Sequence, residues 1–304
     1  MPDHPNETDP GNATGIAAML VSMAFFTAND TCIKVLSEHL PLGEIIVLRG
    51  AMASLYIAAF GLAVGGLHLP ADAPRRLLGW RVLAEISSTL FFLTGLIRLP
   101  IADATALAQA TPLVMTAAAA LWLKEHIETR QWLAALVGLV GVLLIVQPGS
   151  ATFTPAALLV LIAVVLVVVR DLATRAISRS VPTLMLTLMS ALAVTPSGFL
   201  LLPFETWVWP SAGDAWLVVL GGLFLAGAYG FIIVAMRAGD VAVIAPFRYA
   251  VILFGLMSGY LVWGQFPNTI ALVGIAILTM AGLYTFHRER SLLARVPTAG
   301  IPEA

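Results

Sequence analysis

Polar positions are so sparse along this chain that they punctuate it. Apolar runs of about twenty residues, each long enough to cross a bilayer core as a helix at ~1.5 Å rise per residue, recur ten times. They cover 14–36, 43–65, 77–97, 101–123, 131–147, 155–178, 183–203, 213–237, 241–263 and 268–287. The connections between them are short and rich in proline, glycine and charge, as in SEHLPLG, HLPADAPRR, QPGSATFTP and GDVA, which leaves little room for a water-soluble domain. The pattern predicts an all-α integral membrane protein with ten transmembrane helices. Composition sharpens this: 60% of the 304 residues are hydrophobic and only 11% charged, against roughly a quarter charged in soluble domains. In water such a chain could not cover its apolar surface.

Two polar clusters inside the runs share one layout. TANDTCIKVLSEHLP (27–41) and VVRDLATRAISRSVP (168–182) match Asp30 with Asp171, Lys34 with Arg175 and Pro41 with Pro182 at one constant offset. A longer echo sets 103–142 against 243–282, with Glu125 opposite Gln265. The chain therefore reads as a duplication: a first five-helix repeat over 14–147, a second over 155–287, and tails at 1–13 and 288–304. Because five is odd, the second repeat enters the membrane the other way up. Two inverted five-helix repeats are a common build for secondary carriers, whose site lies near the midplane between the halves.

Lysine and arginine concentrate in cytoplasmic connections. With both termini cytoplasmic, the inner connections and adjoining span ends hold Arg75, Arg76, Lys124, Arg130, Arg175, Arg179, Arg237, Arg288, Arg290 and Arg295, and the outer ones hold Arg98 alone. That asymmetry sets the expected orientation. The start, MPDHPNETDPGNATG, is acidic and lacks a basic region before an apolar stretch, so the first helix is expected to persist as a span. The single cysteine, Cys32, allows no internal disulfide. No metal-ligand spacing is present, so neither a metal nor a cofactor is expected, and no nucleic-acid partner.

Ten helices as five plus five, the segment P…LWLKEHIETRQWLAALVGLVGVLLI, and Arg49 within EIIVLRG in the second span together resemble the EamA-type branch of the drug/metabolite transporter superfamily. The likeness extends over nearly the whole chain. It implies a secondary transporter of the bacterial inner membrane working by alternating access, similar to exporters of aromatic and other neutral amino acids; a carrier of another small metabolite, such as riboflavin or a drug, is the alternative. Its partners would be an amino-acid substrate and the lipid bilayer, and a monomer is expected. Gln265 departs from the Glu that family members often have there.

A charge at the centre of a membrane helix costs ~2.5–3.5 kcal/mol on insertion scales, so it needs a partner, a water-filled cavity or a function. Asn29, Asp30 and Lys34 fall towards one end of the membrane and Arg170, Asp171 and Arg175 towards the other. Each set reads as a gate that pairs across helices when its side is closed, or as an i,i+4 contact within one helix worth a few tenths of a kcal/mol. Glu85 and Arg248 lie at equal depth. The family resemblance places the third, fourth, eighth and ninth spans around the central cavity, which implies that both residues line it. Arg248 then suits a substrate carboxylate, and Glu85 or helix carbonyls its ammonium; a structural Glu85–Arg248 ion pair is the other reading. Ser88, Phe92, Gln109, Tyr229 and Tyr249 complete the expected substrate-binding set, and Pro112, Pro196 and Pro246 are expected to bend their spans. A membrane enzyme is the rival class, but KEHIE (124–128) lacks the two-His spacing of a zinc protease and no Gly-x-Ser-x-Gly occurs. A transporter, not an enzyme, is expected.

Overall fold

The computed structural model of the protein describes residues 10–71, 73–122, 124, 129–150, 153–177 and 181–293; Glu125 and most of both expected tails lie outside these. Among the described residues the fold is helical throughout. In chain order the helices are α1 (Pro10–Leu36), α2 (Leu42–Val64), α3 (Arg75–Leu96), α4 (Ile101–Ala108), α5 (Thr111–Trp122), α6 (Thr129–Val146), α7 (Ala156–Ala176), α8 (Thr183–Ser197), α9 (Ala212–Ala238), α10 (Val241–Ile244), α11 (Ala250–Trp263) and α12 (Thr269–Leu293). Among the described residues nine helical stretches are long and apolar enough to cross a membrane, and α12 contributes a shorter apolar stretch, Thr269–Thr285. The first and last helices extend past their expected bounds into the tails, to Pro10 and Leu293.

Three of the ten expected spans are not continuous α-helices, and each holds a proline. Pro112 carries no N–H and its ring crowds the carbonyl of Ala108, so the fourth span breaks into α4 and α5. The freed Ala108 carbonyl accepts from the Thr111 hydroxyl at 2.7 Å, which removes most of the cost of exposing it in an apolar medium. Pro246 sits in a 3₁₀ turn, Ala245–Tyr249, that divides the ninth span between α10 and α11. Pro196 lies at the end of α8, where the seventh span tightens into a second 3₁₀ segment, Gly198–Phe204.

Packing follows the duplication. The principal contacts are α1 along α9, α3 along α7, α6 along α12, α2 against α8, and α4 against α11. Exchanging the halves turns α1·α9 into α7·α3 and returns α6·α12 and α2·α8 to themselves. Every one of these pairs joins the first half to the second, so the bundle's core lies between them, with Ile33, Leu96, Ile101, Leu107, Val160 and Leu278 fully buried. The apolar side chains left exposed, such as Leu62, Leu136, Leu200 and Leu261, stand on the perimeter available to lipid.

Two crossings on the exchange axis are closed by reciprocal glycines. A Cβ on Gly141 would lie 2.8 Å from the Gly274 carbonyl oxygen and from the Leu278 nitrogen, and one on Gly274 would lie 2.7 Å from the Gly141 carbonyl. Gly43 and Gly198 face each other's carbonyls in the same way between α2 and the end of α8. Lipid offers no hydrophobic drive between helices, so such close backbone packing is a main source of their association. Gly141→Val should therefore force α6 and α12 apart and cost about 1–3 kcal/mol, measured as a lowered melting temperature of the detergent-solubilised protein, whereas Gly79→Val, at a site with open space around it, should change it little.

Candidate functional site

Eight helices and the Ala245–Tyr249 turn converge on a central cavity of about 370 Å³, within the ~300–1,000 Å³ range of small-molecule sites. Met23, Phe26, Leu225, Tyr229, Ile232 and Val251 give it a large apolar wall. Phe26 and Tyr229 meet edge to face with ring centroids 5.4 Å apart. Three polar groups interrupt that wall, and they differ in how completely their charges are met.

The first is centred on Glu85 of α3. Its Oε1 accepts from Arg170 Nη1 of α7 at 3.2 Å; its Oε2 accepts from Ser190 Oγ of α8 at 3.3 Å and lies 3.8 Å from Arg81 Nη2. Arg81 also donates to Thr174 Oγ1, Ser190 Oγ and the Leu186 carbonyl. Arg170 gives its remaining nitrogens to Asp171, each at 2.8 Å. Two cations thus meet two carboxylates, and three helices are tied together. The second group runs from α2 to α1: Arg49 Nη1 donates to Asn29 Oδ1 at 2.9 Å, and Asn29 Nδ2 donates to Asp30 Oδ1 at 2.9 Å. The third is Arg248 on the 3₁₀ turn. Its carbonyl accepts a long hydrogen bond from Gln109 Nε2, 3.4 Å, which joins the break in the fourth span to the break in the ninth. Its guanidinium lines the cavity and, among the described residues, has no ion pair or hydrogen bond.

Of the expected substrate-binding residues, Glu85, Ser88, Phe92, Gln109, Tyr229 and Arg248 line this cavity, and so do Asn29, Asp30 and Arg170 from the expected gates. Tyr249 does not. It turns towards α12, where its ring contacts Gly282 and its hydroxyl is buried without a hydrogen-bond partner. The 3₁₀ turn is the reason, since it rotates Tyr249 away from the position a continuous helix would give it. Two expected pairings are also corrected. Glu85 pairs with Arg81 and Arg170, not Arg248. Lys34 does not pair with Asp30: it is buried, donates to the carbonyls of Leu96 (3.1 Å) and Leu99 at the end of α3, and stands 5.6 Å from the Trp263 ring centroid. Asp171 stays with its neighbour Arg170, and Arg175 is exposed on the last turn of α7.

Sequence reading passed over Arg81, Thr187 and Ser190. A signal for Ser190 was present: it stands to Arg49 at the same offset that relates Asp171 to Asp30, so the duplicated position held a polar side chain in both halves.

Residues 13–147 match the EamA-like transporter family. The match covers the first of this chain's two expected repeats. Among its relatives are an S-adenosylmethionine uptake transporter of Rickettsia felis, 25% identical over 93% of this chain and 95% of that protein, a riboflavin transporter of Vibrio cholerae, 28% identical over 67% and 70%, and a pseudopaline exporter of Pseudomonas aeruginosa, 27% identical over 88% and 94%. A solved crystal structure shares the fold, with a TM-score of 0.61 at 22% identity over 94% of this chain and 98% of that one. By its helices the protein is a multi-pass membrane protein, and over its first half it is similar to EamA-like transporters.

Glu85 is buried against two guanidiniums between the halves, and a buried charge left without its partner is costly, so its pairing is a condition of folding. Glu85→Ala leaves Arg81 and Arg170 short of one counter-charge. It should cost about 3–5 kcal/mol, read as loss of folded protein by size-exclusion fluorescence and a lowered melting temperature. Arg248→Ala, which removes no ion pair or side-chain hydrogen bond among the described residues, should leave the melting temperature close to wild type.

Proposed function

We propose that this protein is a secondary carrier that exports amino acids, aromatic and other neutral ones, across the bacterial inner membrane, with both termini cytoplasmic and the two halves rocking about the central cavity. The observation that carries the substrate reading is Arg248. Around the cavity Arg81 and Arg170 are met by Glu85 and Asp171, and Arg49 stands near Asp30; Arg248 is the surplus cation. A guanidinium in an otherwise apolar, partly enclosed space makes strong bidentate hydrogen bonds to a carboxylate, and the Phe26, Phe92 and Tyr229 rings supply an adaptable surface for an apolar side chain. Export is the direction named for the pseudopaline relative; the Rickettsia relatives are named for uptake, and the flux assay below separates the two.

Alternating access also requires an end that closes. The end of the bundle opposite the termini is drawn together by contacts between the halves: Trp263 Nε1 donates to Glu38 Oε1 at 2.8 Å, Gln147 Nε2 to Asn268 Oδ1 at 3.0 Å, and the Gly43 amide to Glu205 Oε2 at 2.8 Å. Lys34 sits beneath Trp263 and holds the α3 terminus in the same assembly. In this reading Lys34 belongs to the gate on that side.

Two outcomes are expected. Reconstituted into liposomes with a panel of labelled amino acids, riboflavin and S-adenosylmethionine, the protein should carry neutral amino acids, with flux out of preloaded inside-out-oriented controls distinguishing export from uptake, and Arg248→Ala should lower kcat/KM about tenfold to a hundredfold, as loss of a hydrogen bond to a charged group implies. Preference for riboflavin over every amino acid would replace the proposed substrate. Lys34→Met should weaken the closed end by about 1.5–3 kcal/mol for each hydrogen bond lost, seen as faster labelling of a Ser258→Cys reporter, in a Cys32→Ala background, by an impermeant maleimide added on the side opposite the termini.

A further inference from the structure

The charges that line the cavity fall into two classes. Glu85 has both carboxylate oxygens occupied, by Arg170 on one and by Ser190 and Arg81 on the other. Arg170 has all three guanidinium nitrogens committed, to Glu85 and Asp171. Both charges are neutralised by protein ion pairs. Asp30 is in no such pair among the described residues. Its Oδ1 accepts from the Asn29 amide, while Oδ2 has no hydrogen bond among the described residues, and no arginine or lysine lies within ion-pair distance of either oxygen. The Arg49 guanidinium nearby is diverted: it donates to Asn29 Oδ1 instead. Asn29 therefore acts as a spacer that fixes the Asp30 carboxylate yet keeps the arginine from covering it. Arg49 makes that one hydrogen bond, its Nε being buried and unpaired; the cavity charges of each sign with the fewest protein partners among the described residues are Asp30 and Arg248, the latter with neither an ion pair nor a side-chain hydrogen bond.

These two open charges belong to different halves. Asp30 is on α1, in the first; Arg248 is on the turn between α10 and α11, in the second. A solute with a single charge engages one half. A solute with both an ammonium and a carboxylate engages both, and so ties together the two bodies whose relative motion would carry it across. We propose that Asp30 is the cation-binding pole of the cavity and that the substrates selected are amphoteric: small molecules with an ammonium or comparable cationic centre held by Asp30 as well as a carboxylate held by Arg248. This rests on the substrate reading of Arg248 above and adds to it the residue that rejects simple acids.

The test uses the full-length protein in liposomes and three matched competitors of amino-acid transport: phenylalanine, its deaminated analogue 3-phenylpropionate, and its decarboxylated analogue phenethylamine. The wild type should bind the amino acid about tenfold to a hundredfold more tightly than either analogue, the worth of one hydrogen-bonded charge. Asp30→Asn keeps the shape and the Asn29 contact but removes the charge; it should bring phenylalanine and 3-phenylpropionate to equal affinity, with Asp30→Glu restoring most of the difference. Asp30→Ser serves for the same ratio if the asparagine variant does not insert. Arg248→Gln should abolish the preference over phenethylamine instead. An Asp30→Asn protein that keeps the wild-type ratio of amino acid to acid, while Arg248→Gln loses its own ratio, overturns the role of Asp30 alone. A wild type that binds none of the three overturns the amino-acid reading and this inference with it.

Discussion

The Glu85 carboxylate is the point on which the arrangement of this bundle depends. Buried between α3, α7 and α8, it receives two guanidiniums and a hydroxyl. None of these groups can be left alone at that depth: an unpaired charge there costs several kcal/mol, while the complete set is close to neutral in energy against an apolar replacement. The network therefore adds little net stability but strongly penalises any packing in which α3, α7 and α8 are displaced relative to one another. It fixes register, and so fixes where the remaining, less occupied charges of Asp30 and Arg248 stand.

Duplication supplied the frame for this network without copying its chemistry. Asn29 of the first half corresponds to Arg170 of the second, and Arg49 to Ser190. In one half the cation is on the second span and its neutral partner on the first; in the other the cation is on the first span and the neutral hydroxyl on the second. Each half keeps one arginine at this level, so the charge balance is similar, but only in the second does the arginine reach a carboxylate from the opposite half. The pairs α1·α9 and α3·α7 are equivalent by the exchange of halves, yet only the α3·α7 side is locked by ions. The α1·α9 side is held by softer contacts: Ser22 to the Ala228 carbonyl at 2.8 Å, and the aromatic cluster of Phe25, Phe26, Phe224, Tyr229 and Phe231. A difference in stiffness between the two seams follows directly from which residue types occupy the duplicated positions.

Much of this was legible in the sequence because lipid leaves few choices. A backbone in hydrocarbon must satisfy its own hydrogen bonds, so run length alone located the helices, and the prolines marked the broken spans. Side-chain partners were less legible, for reasons that can be named. Equal depth suggested Arg248 as the partner of Glu85, but depth does not fix direction around the bundle, and α7, packed along α3, brought Arg170 nearer. The Asp30–Lys34 spacing suggested a pair on one helix face; the carbonyls left open at the end of α3, just before Pro100, proved the better partners for Lys34. Tyr249 was expected at the site as a hydroxyl at mid-membrane, but it ends the segment that holds Pro246 and forms a 3₁₀ turn. Errors of this kind arise wherever a polar group can be satisfied by backbone, since sequence records the donor but not the orphaned carbonyl.

The two interrupted spans explain why the open charges lie where they do. The breaks at Gln109–Ala110 and at Ala245–Tyr249 fall in corresponding stretches of the two halves and touch through Gln109 and the Arg248 carbonyl. Irregular backbone at membrane depth is tolerated only where protein or a water-filled cavity satisfies it, and paired interruptions of this sort are where carriers place their solutes. A continuous α-helix would have used the Arg248 carbonyl internally and set its side chain in a regular packing face. At the 3₁₀ turn that carbonyl also accepts from Gln109 of the other half, and the Arg248 side chain lines the cavity with no ion pair or hydrogen bond among the described residues. The same local geometry that costs the ninth span its regular hydrogen bonding therefore sets Arg248 at the site, and couples it to the break in the opposite half, where a change in the relation of the halves would be felt first.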